Sequence, residues 1–135
     1  VGTQDGDQFG VFAQRFVVPL PPPVDDTSLS LMSGRFKLTV AWNDPHGPLG
    51  TGIGHAVPLT GDTGAFWFFD PANVELIVKV LDGRGINGKF WVFYGGLSNL
   101  EYTITVIDTL TGFRKTYTNP THKFGSQGDT SAIPG

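Results

Sequence analysis

Three stretches of the chain alternate apolar and polar residues with a period of two. In residues 35–42, Phe36, Leu38, Val40 and Trp42 fall on one side, and Arg35, Lys37, Thr39 and Ala41 on the other. Residues 74–81 repeat this, with Val74, Leu76, Val78 and Val80 set against Glu75, Ile77, Lys79 and Leu81. Residues 101–108 do so again, with Tyr102, Ile104 and Val106 against Glu101, Thr103 and Thr105. Successive side chains of a strand point to opposite faces, so each stretch reads as a half-buried β-strand. A shorter partner at residues 113–118 follows Thr109-Leu110-Thr111-Gly112 and predicts a hairpin, with Gly112 free to take a positive φ. Helical periodicity is nearly absent, and residues 70–73 have room for one helical turn at most.

Two stretches do not alternate. Residues 65–69 (Ala-Phe-Trp-Phe-Phe) and 90–94 (Phe-Trp-Val-Phe-Tyr) are apolar on both faces. Such a strand is covered on both sides, or it presents an aromatic face to a partner. Trp42 continues an alternating face and belongs to the core. If Phe66 and Phe68 point inward, Trp67 and Phe69 must point outward. Trp67, Phe69, Trp91 and Phe93 are therefore the candidate aromatic surface. Turn residues punctuate the strands at Asn43-Asp44-Pro45-His46-Gly47, Gly61-Asp62-Thr63-Gly64, Asp70-Pro71 and the run from Asp82 to Gly88. Short strands at this spacing predict an all-β fold, a Greek-key or immunoglobulin-like β-sandwich with its core between residues 34 and 118.

The flanks differ from this body. Residues 9–18 form an apolar, strand-like arm carrying Phe9, Val11, Phe12, Phe16 and Val18. Pro19-Leu20-Pro21-Pro22-Pro23 then makes a stiff extended linker. Residues 25–32 resume with a short strand. The expected organisation is an arm and linker over residues 1–23 and a sandwich domain over 24–135. Residues 125–135 read as coil, and both ends are expected to fray in an isolated monomer.

Composition narrows the partners. Charged residues make up only 16% of the 135, with nine basic against twelve acidic giving −3. No basic run offers a phosphate-neutralising surface, so nucleic acid is not an expected partner. No apolar stretch approaches the roughly 20 residues of a membrane-spanning helix. There is no cysteine, which removes disulfides, thiolate nucleophiles and zinc ribbons. The chain opens Val1-Gly2-Thr3 without a visible signal peptide, which reads as a processed or shortened form. Abundant Gly, Thr and aromatics with little Lys and Glu point to an extracellular or cell-surface setting.

Residues 34–118 also carry a long specific pattern. It runs through Gly34-Arg35-Phe36-Lys37, Val40-Ala41-Trp42, Ala56-Val57-Pro58-Leu59-Thr60 and Asp62-Thr63-Gly64. It continues with Phe66-Trp67-Phe68-Phe69-Asp70-Pro71-Ala72-Asn73-Val74-Glu75-Leu76 and Lys79-Val80-Leu81-Asp82-Gly83. Asn87-Gly88, Phe90-Trp91-Val92-Phe93-Tyr94, Leu97-Ser98 and Glu101-Tyr102-Thr103 close it. This pattern resembles a β-rich module of uncharacterised function found in predicted secreted bacterial proteins. The resemblance implies a bacterial envelope or secreted setting and brings no substrate or catalytic residues with it.

The residues that bear chemistry do not converge. Asp82-Gly83-Arg84-Gly85-Ile86-Asn87-Gly88 sets oxygen ligands in a Gly-rich loop, but Arg84 and Ile86 stand where a calcium loop places ligands. Asp70, Asn73, Asp82 and Asn87 are the candidate calcium ligands, with ordinary turn chemistry as the competing account. His46, His55 and His122 lack a paired zinc spacing. No Gly-x-Ser-x-Gly elbow is present, and Ser98 reads as a turn residue. Asp70, Glu75, Asp82 and Glu101 are the carboxylates from which a glycosidase pair would be drawn; Glu75 and Glu101 fit solvated strand positions better. The chain is therefore expected not to be an enzyme. It is expected to be an extracellular structural subunit or adhesion module, assembling with itself into homo-oligomers or filaments when the arm adds as a strand to a neighbour. The alternative is a carbohydrate-binding module that uses its outward aromatics on a glycan.

Overall fold

The computed structural model describes residues 26–135. The arm residues Phe9, Val11, Phe12, Phe16 and Val18, the Pro-rich linker and the boundary at residue 23 lie outside the described residues. The elements are β1 (Leu29–Leu31), β2 (Phe36–Asp44), β3 (Gly50–Ile53), β4 (His55–Pro58), β5 (Thr63–Trp67), β6 (Val74–Gly83), α1 (Arg84–Asn87), β7 (Lys89–Gly96), β8 (Glu101–Asp108), β9 (Arg114–Asn119) and β10 (Ser126–Pro134).

They form two antiparallel five-stranded sheets. One runs β1–β2–β8–β9, with β3 paired to the far end of β2, beyond β1. The other runs β10–β7–β6–β5–β4. The chain passes between sheets at β3–β4, β7–β8 and β9–β10. The protein is thus an all-β sandwich, as the alternation predicts.

The alternating strands supply the inner faces. Phe36, Leu38, Val40 and Trp42 of β2 and Tyr102, Ile104 and Val106 of β8 are buried. They join Phe66 of β5, Leu76, Val78 and Val80 of β6, and Phe90 and Val92 of β7 in one cluster. Phe68, one residue past the end of β5, joins the same cluster. A fully buried side chain of this size contributes about 1.5–3 kcal/mol, so this cluster is the main apolar stabilisation among the described residues. The predicted hairpin forms as expected: Gly112 takes φ 80° and its N–H donates to the Asp108 carbonyl at 2.7 Å.

Four expectations change. Residues 125–135 are not coil, because β10 pairs along β7 from Ser126–Gly95 to Pro134–Lys89. Its sequence is polar except for Ala132 and Ile133, both buried in the core, and a bulge between Asp129 and Ile133 realigns them inward. β3 and β4 arise from the Gly-rich segment after residue 49, where no alternation announces a strand. The helical turn forms at Arg84–Asn87, closed by Gly88 at φ 76°, and not at residues 70–73. Glu75 is buried rather than solvated. It sits beside the β5–β6 irregularity at Phe66/Trp67, and the Leu97 N–H donates to its carbonyl at 2.7 Å, drawing the loop after β7 over that end of the strand.

Two polar contacts tie the ends of the sandwich. Arg35 makes a forked contact to Asp108, Nε to Oδ1 at 3.1 Å and Nη2 to Oδ2 at 2.9 Å. Its guanidinium also lies 4.5 Å from the centre of the Phe90 ring in the opposite sheet. The Tyr117 hydroxyl of β9 donates to Asp129 Oδ2 of β10 at 2.7 Å, linking the sheets on the other side. Burial, followed by the contact to Asp129, pushes the Tyr117 hydroxyl pKa well above its usual value.

The Asp108 side chain is fully buried, and the Arg35 hydrogen bonds hold its carboxyl below the usual carboxylate range. A group with a depressed folded pKa stabilises fully above its unfolded value, near 3.9, and loses that contribution as the pH falls through the folded value. Asp108→Ala leaves Arg35 without its partner and is expected to cost about 3–5 kcal/mol, read as a lowered midpoint in urea. Asp108→Asn is expected to flatten the loss of melting temperature between pH 4 and pH 2 that the wild type shows.

Candidate functional site

The outward face of the β4–β10 sheet carries the aromatic residues. In β5 and β7 the inward positions are Phe66, Phe90 and Val92, which leaves Trp67, Trp91 and Phe93 on the outside, all half-buried. Each ring has a specific support. Trp91 lies across Gly83 of β6, where an added Cβ would come within 2.1 Å of the indole. Its indole N–H donates to Asn87 Oδ1 at 3.0 Å. Phe93 lies across Gly128 of β10, where an added Cβ would meet two ring carbons at 2.9 Å. Trp67 stacks on His55 of β4, with centroids 4.0 Å apart and planes at 14°.

These rings do not form one platform. Trp67 pairs with Val74 and Trp91 with Leu81, at opposite ends of β6, roughly 23 Å apart at about 3.3 Å per residue. Phe69 belongs elsewhere. It is 45% exposed, but its ring meets Trp42 edge-on at 4.7 Å, on the rim toward the other sheet.

Phe93 stands at an open trough of about 570 Å3. Thr63 of β5, Ile77 and Lys79 of β6, Tyr94 and Gly95 of β7 and Ser126 to Gly128 of β10 complete its lining. The pairing Thr63–Lys79–Phe93–Gly128 runs straight across four strands, and Ile77–Gly95–Ser126 runs beside it. Gly95 forms the floor: an added Cβ there meets nothing within 4 Å. The trough therefore combines an aromatic ring, an ammonium group, hydroxyls and an amide above a floor with no side chain.

The candidate calcium ligands stand apart, and the side chains of Asp70, Asp82 and Asn87 are engaged in local hydrogen bonds. Asp70 Oδ1 accepts the Ala72 N–H at 2.8 Å, before β6 begins. At the other end of β6, Asp82 Oδ1 accepts from Arg84 Nε at 2.9 Å and Oδ2 from Nη2 at 2.8 Å. These bonds draw the Asp82 pKa down to about 2. Asn87 Oδ1 accepts from Lys89 and Trp91, and its amide donates to the Thr130 carbonyl at 2.7 Å. Asn73 donates its backbone N–H to the Asp70 carbonyl at 2.9 Å. These are turn and capping bonds, and β6 separates the two pairs.

The carboxylates are similarly dispersed. Glu75 is raised by burial on the β4–β10 sheet, whereas Glu101 pairs with Asn43 in the other sheet. Ser98 Oγ accepts the Leu100 N–H at 3.2 Å, the turn role expected of it. Comparison with protein-family models, with curated proteins and with solved structures finds no match to this chain.

Sequence reasoning singled out Phe93 but missed Lys79, Gly95 and Ser126 to Gly128 as its neighbours. The one available signal was that Lys79 falls on the outward side of an alternating strand. Gly83→Ala is expected to lift the Trp91 ring, cost about 1–3 kcal/mol and break the Asn87 contact. Thermal melting and a shift in tryptophan emission at native temperature check it.

Proposed function

We propose that this chain is a non-catalytic extracellular adhesion module that holds carbohydrate on the outer face of its β4–β10 sheet. The observation that carries the reading is the trough beside Phe93. A ring braced on Gly128 presents its free face at the edge of a floor left open by Gly95. Sugars bind by laying a C–H face on an aromatic ring while hydroxyls exchange hydrogen bonds with polar side chains, and Thr63, Ser126 and Gln127 supply such groups here. Among the described residues no Asp or Glu lines the trough, which supports binding there without hydrolysis, since a retaining or inverting pair needs two carboxyls flanking the bound sugar within about 10 Å of each other. The low charge content supports the extracellular setting.

Affinity electrophoresis through gels containing neutral and uronate-rich polysaccharides tests this. Wild type is expected to be retarded by at least one of them. Phe93→Ala and Gly95→Leu, which removes the floor space, are expected to run as in an empty gel while their far-ultraviolet circular dichroism at native temperature shows that both remain folded. Equal retardation of wild type and both variants sinks the reading.

A second reading, self-assembly by strand addition, is favoured by one contact. The Ala56 N–H of edge strand β4 donates to the Asp26 carbonyl at 2.5 Å, and His55 Nδ1 lies 3.2 Å from Asp26 Oδ2. Asp26, three residues past the Pro-rich linker, is thereby held at the outer edge of β4, where an arm strand from the same chain or a neighbour would extend the sheet. Mass photometry with and without residues 1–23 separates the cases: loss of large assemblies on truncation supports donation between chains, and a monomer in both refutes it.

A further inference from the structure

The charge of the trough points to the class of sugar, an inference that rests on the carbohydrate reading above. Lys79 is the one charged residue among those that line it. Among the described residues Lys79 makes no ion pair within 4.0 Å. Asp62 lies close enough to feel its field and stays ionised without forming an ion pair with it, its carboxylate being held by two hydroxyls. Its Oδ1 accepts the Thr63 hydroxyl at 2.8 Å and the Thr60 hydroxyl at 2.9 Å, and these two bonds outrank Lys79 in lowering its pKa. The ammonium on β6 and the ring of Phe93 on β7 are directly paired residues, whose Cβ atoms stand about 5 Å apart on one face. Both side chains therefore rise from neighbouring positions on the same face, where one ligand can meet the two together.

We infer that the trough takes an acidic polysaccharide, with a uronate carboxylate seated on Lys79 Nζ and the pyranose face on Phe93. Lys is a compact point charge with three rotatable donors, suited to one carboxylate rather than a planar fork. Thr63, Ser126 and Gln127 ring the same space with neutral groups that suit sugar hydroxyls. An acidic peptide fits less well. The backbone groups of β5, β6 and β7 are used in their own ladders, so the face offers a peptide main chain nothing to pair with.

The test is isothermal titration of the full chain at low ionic strength with hexagalacturonate, cellohexaose and poly-L-glutamate. Hexagalacturonate is expected to bind about two- to fivefold more tightly than the neutral hexaose, the scale of one exposed charge pair. Lys79→Gln is expected to remove that preference, Lys79→Arg to retain part of it, and added salt to reduce it. Equal affinity for both sugars, unchanged in Lys79→Gln, overturns the acidic assignment and leaves carbohydrate binding standing. Binding of neither sugar overturns both. Poly-L-glutamate binding as tightly as the uronate reduces the site to ion exchange and also overturns the assignment.

Discussion

A large ring laid across a glycine on the neighbouring strand is the contact on which both faces of the sandwich depend. Trp91 over Gly83, Phe93 over Gly128 and Trp42 over Gly52 share it, and a Cβ at any of these glycines would collide with the ring; across the sandwich, the Tyr102 hydroxyl fills the space over Gly96 in a similar way. Glycine inside a strand weakens it through entropy and missing contacts. Here the missing side chain becomes space that an aromatic fills. This resolves the difficulty of β5 and β7, which are apolar on both sides. Their inner residues enter the core, and their outer rings fold down onto their own sheet instead of standing into water.

The same device has a polar cost at the core. Tyr102 Oη and Trp42 Nε1 are buried without a hydrogen-bond partner among the described residues, and burial raises the Tyr102 pKa to about 12. Leaving such groups unpaired costs on the order of 1–3 kcal/mol each. Burial of their large rings, each worth more in apolar area than one lost bond, outweighs that cost. The satisfied polar contacts are found at the margins, where Arg35 meets Asp108 and Tyr117 meets Asp129, and they set how the sheets close.

The alternating strands were legible because one face of each meets water and the other the core, so β2 and β8 match their expected inward residues one for one, and β6 does so from Leu76 onward, Val74 falling before the irregularity and staying half-buried. β10 was not legible. Its strand character comes from pairing with β7, and only Ala132 and Ile133 reach the core, so no periodicity marks it. β3 and β4 were hidden for a related reason, since neither contributes a fully buried side chain. The trough inherits these blind spots. Phe93 was visible as an outward aromatic, but its lining comes from four strands, one of them β10, and pairing register is what sets Lys79 and Gly128 beside it. Glu75 was misjudged because a bulge and a returning loop cover a position that alternation assigns to solvent.

The two functional readings use different parts of one sheet. Strand addition belongs to the outer edge of β4, where Asp26 already bonds Ala56. The trough is centred on β6 and β7 and reaches β10 at the opposite edge. A strand added at β4 extends the sheet sideways beyond His55 and leaves Lys79, Phe93 and Gly95 open. The β10 edge is less suited to addition, because its bulge at Asp129–Ile133 interrupts the row of backbone groups that a new strand would pair with. Assembly through β4 would therefore repeat the trough along a row of copies. Weak single sites held in such a row bind a repeating polysaccharide far more tightly than any one of them, so the modest affinity expected of one exposed Lys79 contact is compatible with adhesion.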